Sequence, residues 1–163
     1  MDQTHKRTRN GDDIMRINKL LWPTDFSENA ARALSQVQSL IEKYGCEVHV
    51  LYVIQELAHH EPWYGEFDQD HLDKIAVWQN KQAEKHLNQI CEKHLQGCPM
   101  YVRHVSSGDP AREILKLIER ENIDMVVMAS CGGTGSFPFG SVADKVVKNS
   151  PVPVITVPVC PVQ

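Results

Sequence analysis

A glycine-rich stretch in the last third of the chain carries the residues best suited to bind a small molecule. It runs from Ala129 to Ser141 and reads ASCGGTGSFPFGS. Its four glycines allow positive φ angles and let the backbone approach a ligand closely. Ser141 is the predicted N-cap of a following helix, and the first amides of a helix attract anions. The stretch is therefore predicted either to bind a phosphate-bearing molecule or to be a flexible turn.

Two regular elements must position this stretch. The apolar run from Asp124 to Met128 is typical of a buried strand, which is predicted at Met125–Ala129. Beyond Ser141, Val142, Val146 and Val147 recur at helical spacing. The glycines thus join a strand to the start of a helix.

The rest of the chain alternates strand and helix patterns. Strands are predicted at Ile17–Trp22, Val48–Ile54, Tyr101–Val105 and Val152–Val157, and helices at Ser27–Tyr44, at His71–Leu95 and after Pro110. This alternation predicts an open, mainly parallel α/β sheet with right-handed crossovers. The prolines around the last strand place it at a sheet edge, where pairing with another chain is expected.

The predicted fold brings distant segments together. In open parallel sheets, ligands bind beyond the carboxyl ends of the strands, at the point where strand order reverses. This rule places Pro23–Asp25, the strand end near Val53 and the glycine-rich stretch around one crevice. Asp25 is predicted either to cap the first helix or to accept hydrogen bonds from a ligand.

Composition and length narrow the class of protein. The net charge of −4 argues against nucleic acid as a main partner, and no apolar run is long enough to span a membrane. Polar residues 1–14 predict a disordered extension before a single domain over residues 15–163. Five cysteines without a metal-binding spacing or a signal peptide indicate free thiols and a cytoplasmic location. Cys131 is either a reactive thiol or a small loop residue, and the scattered histidines are expected at the surface.

Several catalytic and nucleotide-binding motifs are absent. No lysine follows Gly140, which excludes a P-loop, and no GxGxxG follows the first strand. No GxSxG nucleophile motif is present either. We therefore expect no efficient catalysis and, at most, slow ATP hydrolysis.

Several segments together resemble the universal stress protein family. They are LLWPTDFS at 20–27, VLYVI at 50–54, Gly-Asp-Pro at 108–110, DMVVMAS at 124–130, GSVA at 140–143 and PVPV at 151–154. The resemblance covers residues 17–158. It implies a three-layer fold of five parallel strands with helices on both faces, and commonly a homodimer paired through the last strands, here Val152–Val157.

One branch of this family binds ATP through the motif Gly-x2-Gly-x9-Gly-[Ser/Thr], and the resemblance implies an ATP site here, with or without Mg²⁺. Asp25 and the backbone of Val53 would hold the adenosine, while Gly132, Gly140 and Ser141 would bind the phosphates. The residues implied to contact the nucleotide are Pro23, Thr24, Asp25, Val53, Met128, Gly132, Gly140, Ser141 and Val142.

The sequence departs from this motif at two points. Ala129 replaces the first glycine, and seven residues rather than nine separate Gly132 from Gly140. Cys131 also stands where the family often has histidine. Two alternatives therefore stay open: a nucleotide-free interaction protein of the same fold, and a related adenine-nucleotide hydrolase. The hydrolase group's Ser-Gly-Gly-x-Asp-Ser pattern is absent after the first strand.

Overall fold

The protein forms one parallel sheet with helices on both faces. The computed structural model describes residues 16–55, 69–96, 98, 100–131 and 139–158, and for 69–72 only the backbone. The elements are β1 (Lys19–Pro23), α1 (Glu28–Arg32), α2 (Leu34–Tyr44), β2 (Glu47–Ile54), α3 (Gln69–His94), β3 (Tyr101–Ser107), α4 (Pro110–Glu121), β4 (Met125–Ala129), α5 (Ser141–Asn149) and β5 (Val154–Val157). The predicted disordered extension at 1–14 lies outside the described residues.

The sheet has the strand order β3-β2-β1-β4-β5, and all of its pairings are parallel. Strand β1 lies at the centre, where Leu21 is in register with His49 on one side and Val126 on the other. After β1, the chain adds β2 and β3 on one side of it and then β4 and β5 on the other side. The order therefore reverses beside β1, and the predicted α/β fold and the edge position of β5 are confirmed.

Side chains alternate between two cores because successive strand residues point to opposite faces. Leu20 and Trp22 of β1 pack with α2 and α3, whereas Leu21 packs with α4 and α5. All three side chains are at least 99 % buried. Helices therefore cover both faces of the sheet, which gives three layers.

Several predicted element boundaries differ from the structure by one or two residues, and two differences have a clear local cause. The helix predicted over 27–44 is divided at Ala33, whose amide bonds to Ala30 O three residues back rather than four. The last strand starts at Val154 rather than Val152, because Ser150 Oγ accepts from Val152 N (3.2 Å) and donates to Val152 O (2.8 Å). Val152 is thereby held in a turn.

The sequence predicted surface histidines, but not all of the histidines lie at the surface. His49 on β2 is only 1 % exposed. No helix in the described part of the chain combines the length and apolar character needed to cross a bilayer.

Candidate functional site

A cleft of about 590 Å³ opens beyond the carboxyl ends of β1, β2 and β4. The first residues of α4 and α5 complete its walls. Small-molecule sites commonly have volumes of roughly 300–1,000 Å³ and lie where strand order reverses. The cleft meets both conditions, since β1 and β4 form its floor.

The predicted contact residues that the structure describes all line this cleft. They are Pro23, Thr24, Asp25, Val53, Met128, Gly140, Ser141 and Val142. Gly132 lies outside the described residues. The structure thus brings together three segments more than a hundred residues apart at their extremes, while their contact with a ligand stays a prediction.

Hydrogen bonds fix the loop after β1 against β2. Thr24 N donates to Leu51 O (2.8 Å), and the Thr24 hydroxyl accepts from Phe26 N (3.1 Å). Phe26 has a left-handed φ of 63°, which is unfavourable for a bulky residue. Its ring stacks on Tyr52 at 4.1 Å between centroids. Packing therefore holds a strained backbone beside Asp25, as often occurs at binding sites.

Asp25 supports the start of α1 and also lines the cleft. Its Oδ1 accepts from the amide (3.0 Å) and the hydroxyl of Ser27. The Ser27 hydroxyl is the N-cap and accepts from Ala30 N at 3.1 Å. Asp25 is thus not the cap itself but orients the capping side chain, and it presents an exposed carboxylate at the cleft.

Gly140 fastens the start of α5 to the end of β4. Its amide donates to Ser130 O at 2.7 Å, and a Cβ at this position would lie 3.2 Å from Cys131 Cα. Such a contact is tighter than ordinary van der Waals packing, so only glycine allows this approach without displacement. Backbone packing therefore favours glycine at this position, because a Cβ would force Cys131 to shift by a few tenths of an ångström.

The predicted N-cap role of Ser141 is wrong. Gly140 is the N-cap, with extended φ and ψ of −79° and 157°, and Ser141 is the first helical residue. Because glycine has no side chain, no side-chain hydrogen bond caps α5. The first helical amides have no carbonyl partner one turn back. Those of Ser141, Val142 and Ala143 belong to residues that line the cleft.

The cleft has little positive charge of its own. Among the described lining residues there is no lysine or arginine, and Asp25 carries the only formal charge. Residues 129–143 also contain no basic side chain. Lys145 lies one turn further along α5, but its Nζ bonds to Asp109 Oδ2 at 3.3 Å. The Arg112 amide and Lys145 together hold the pKa of Asp109 below its ordinary value.

Several lining residues were not expected from the sequence. Gln55 directly follows β2, and Pro110 and Ile114 belong to the first turns of α4. The available signal was that β3 is parallel to the other strands, so the helix that follows it starts at the same sheet edge. Cys131 also lines the cleft, 3 % exposed, with its Sγ 4.0 Å from Asn29 Nδ2.

The sequence and fold match known proteins over most of the chain. The family model described as the universal stress protein family matches residues 16–158. The chain belongs to the universal stress protein family. The universal stress protein MJ0577 of Methanocaldococcus jannaschii is 31 % identical, with 85 % of this chain and 93 % of that protein covered.

Solved universal stress protein structures share the fold. The structure of MJ0577 superimposes with a TM-score of 0.70 at 30 % identity, covering 91 % of this chain and all of that one. UspA from Lactobacillus plantarum gives a TM-score of 0.73 at 22 % identity, covering 87 % and 98 %. A universal stress protein from Archaeoglobus fulgidus in complex with dAMP gives 0.59 at 16 %, covering 88 % and 98 %.

The alanine at the first motif position is compatible with the backbone. Ala129 is the last residue of β4, in register with Val157 of β5. Among the described non-glycine residues, only Phe26 and Asn122 have positive φ. Position 129 therefore does not require a glycine on conformational grounds.

Proposed function

We propose that this universal stress protein binds an adenine nucleotide, ATP together with Mg²⁺, in the cleft beyond β1, β2 and β4. The observation that carries the proposal is the start of α5, which lines the cleft and has no side-chain cap. Uncapped helical amides bind anions such as phosphate. The A. fulgidus relative in complex with dAMP supports an adenine nucleotide as the occupant.

Each wall of the cleft has a distinct proposed role. Asp25 and the backbone of Val53 would hold the adenosine, with Pro23, Thr24 and Met128 enclosing it. The amides of Gly132 and Ser141, together with Gly140 and Val142, would surround the phosphates. The Ser141 hydroxyl is a further donor. Because the cleft lacks lysine and arginine among its described residues, Mg²⁺ would supply the positive charge that offsets the phosphates.

Binding is proposed without efficient turnover. Asp25 and Cys131 are the titratable residues among the described lining residues. Hydrolysis of ATP requires a positioned water and charge stabilisation of the transferred phosphoryl group. Mg²⁺ would supply charge stabilisation, but a single exposed carboxylate at the rim provides no acid–base pair to position and activate a water, so we expect hydrolysis to be slow at most.

Titration calorimetry with ATP tests the proposal directly. We expect binding with excess Mg²⁺ and weaker binding in EDTA, because the uncompensated charge of ATP then faces the carboxylate of Asp25. AMP, with fewer charges, should be less sensitive to EDTA. An absence of heat at millimolar nucleotide would favour the second candidate, an interaction protein that uses this fold without a nucleotide.

We further propose a homodimer in the cytoplasm, with β5 pairing across the interface. Strand β5 is an edge strand whose four residues are only half-buried. An exposed apolar edge is a template for strand pairing. Nucleotide occupancy would then act on dimer or partner contacts during the stress response. The free thiols of Cys46, Cys91 and Cys98 fit a reducing compartment.

A further inference from the structure

Two histidines on the adjacent strands β2 and β3 form a stacked pair, and neither lines the cleft. His49 on β2 is buried, and His104 on the edge strand β3 is half-buried. Their rings lie 5.1 Å apart and within 8° of parallel. His49 Nδ1 is 2.9 Å from His104 Nε2, so the two nitrogens share one hydrogen bond.

In each ring, the nitrogen outside the shared hydrogen bond faces a charged side chain, which is acidic for His49 and basic for His104. His49 Nε2 lies 2.7 Å from Glu47 Oε1, and His104 Nδ1 lies 3.4 Å from Arg120 Nη2 in the last turn of α4. Arg120 Nε also donates to Glu121 Oε1 at 3.0 Å. From β1, Lys19 Nζ lies 3.9 Å from Glu47 Oε1 and donates to Glu121 O at 3.0 Å.

These contacts fix the direction of every hydrogen bond. A guanidinium can only donate and a carboxylate can only accept. Arg120 therefore donates to His104 Nδ1, His104 Nε2–H donates to His49 Nδ1, and His49 Nε2–H donates to Glu47. Both rings are then neutral and all four of their nitrogens are satisfied.

We propose that this chain of hydrogen bonds is an acid-sensitive contact between the end of α4 and the edge strand β3. An added proton binds His104 Nδ1 and converts His104 to an imidazolium, which still donates from Nε2 to His49 Nδ1. The added proton lies on the nitrogen that had accepted from Arg120. That proton now points at the Arg120 guanidinium, so the hydrogen bond from α4 is lost.

The surroundings of His104 favour the neutral form of its ring over the protonated form. Burial, and then the neighbouring His49, lower the pKa of His104 from its ordinary value of 6.5. The unfolded chain therefore takes up a proton before the folded protein does. The stabilising effect of the hydrogen-bonded pair on the folded protein is therefore complete above pH 6.5, the ordinary pKa of histidine. It is lost as the pH falls from there through the lower pKa of the folded state.

Nitrogen-15 NMR of the imidazole rings in the full-length protein tests the bond directions. At pH 7.5, we expect both rings to carry their proton on Nε2. At lower pH, the His104 signals should change to those of an imidazolium that carries a proton on both nitrogens. A proton on His49 Nδ1 at pH 7.5, or an imidazolium at His104 already at that pH, would overturn the proposal.

Urea unfolding at pH 7.5 and pH 5 supplies a second test. In H104Q, the side-chain amide can still donate to His49 Nδ1 but cannot titrate, whereas H94Q removes a histidine outside the pair. We expect the midpoint of the wild type and of H94Q to fall more at pH 5 than that of H104Q. Equal falls in all three proteins would contradict an acid-sensitive contact here. No step of this inference depends on a nucleotide.

Discussion

Replacing Ser141 with proline removes one helical amide from the cleft while leaving the helix able to form. Proline is favoured at the first helical position, because the N–H it lacks has no intrahelical partner. The residue before a proline prefers extended backbone. Gly140 is already extended, at φ −79° and ψ 157°. We therefore expect S141P to fold with a melting temperature close to that of the wild type.

The loss of nucleotide affinity follows from the bond that disappears. A hydrogen bond to a charged group contributes about 1.5–3 kcal/mol, which corresponds to a factor of about 10–150 in Kd. S141A removes only the hydroxyl, whose proposed bond is also to a charged phosphate, and should cost a similar factor of about 10–150, whereas S141P removes both donors. The excess loss of S141P over S141A thus reports the amide alone.

Titration calorimetry of the three proteins with ATP and Mg²⁺ measures this difference. Thermal unfolding without nucleotide serves as the control for folding. If S141P is as stable as S141A and binds ATP equally well, the amide at the start of α5 does not bind phosphate. The proposed role of the helix start would then be wrong, even if the cleft still bound a nucleotide.

Three further substitutions test separate parts of the structure. In D25N, the side-chain oxygen can still accept from Ser27, so α1 stays capped. ATP affinity should fall about tenfold, because a charged acceptor is lost. An unchanged Kd would show that Asp25 does not contact the nucleotide. T156P removes an amide that points away from β4, because the carbonyls of Pro153 and Val157 are those that face it. Sedimentation should therefore show a weaker dimer without loss of folding, and an unaltered dimer would exclude β5 pairing. D124A leaves the amides of Asn18 and Lys19 without the Asp124 carboxylate that accepts them at 2.9 and 3.1 Å. Urea unfolding should show about 2–3 kcal/mol lower stability, against about 0.5 kcal/mol or less for the exposed ion-pair control D144A; equal losses would contradict the assigned role of Asp124.

The three central strands, β1, β2 and β4, could be predicted from the sequence because they are mostly buried on both faces. Met125–Ala129 is an uninterrupted apolar run, and its predicted bounds agree with β4. Parallel strands place their carboxyl ends at one edge, so the convergence of Asp25, Val53 and Ser141 also followed from the pattern. A local sequence signal was sufficient where a single residue ends an element. Gly45, for example, ends α2 with a φ of 63°.

Features that depend on contacts between distant segments could not be predicted in this way. The left-handed conformation of Phe26 is maintained by its stacking on Tyr52, a residue of another strand. Gly140 becomes the N-cap because its amide bonds to Ser130, which draws the helix start back by one residue. His49 reads as a polar surface residue until β3 and α4 supply its neighbours.

Because Gly140 N donates to Ser130 O, the insert between these two residues can change in length independently of β4 and α5. The two ends of that insert are joined directly, at 2.7 Å between the amide nitrogen and the carbonyl oxygen. Insertions or deletions between them need not shift the axis of α5 or the position of its first amides. Seven residues in place of the nine of the ATP-binding motif can thus be accommodated without moving the start of α5.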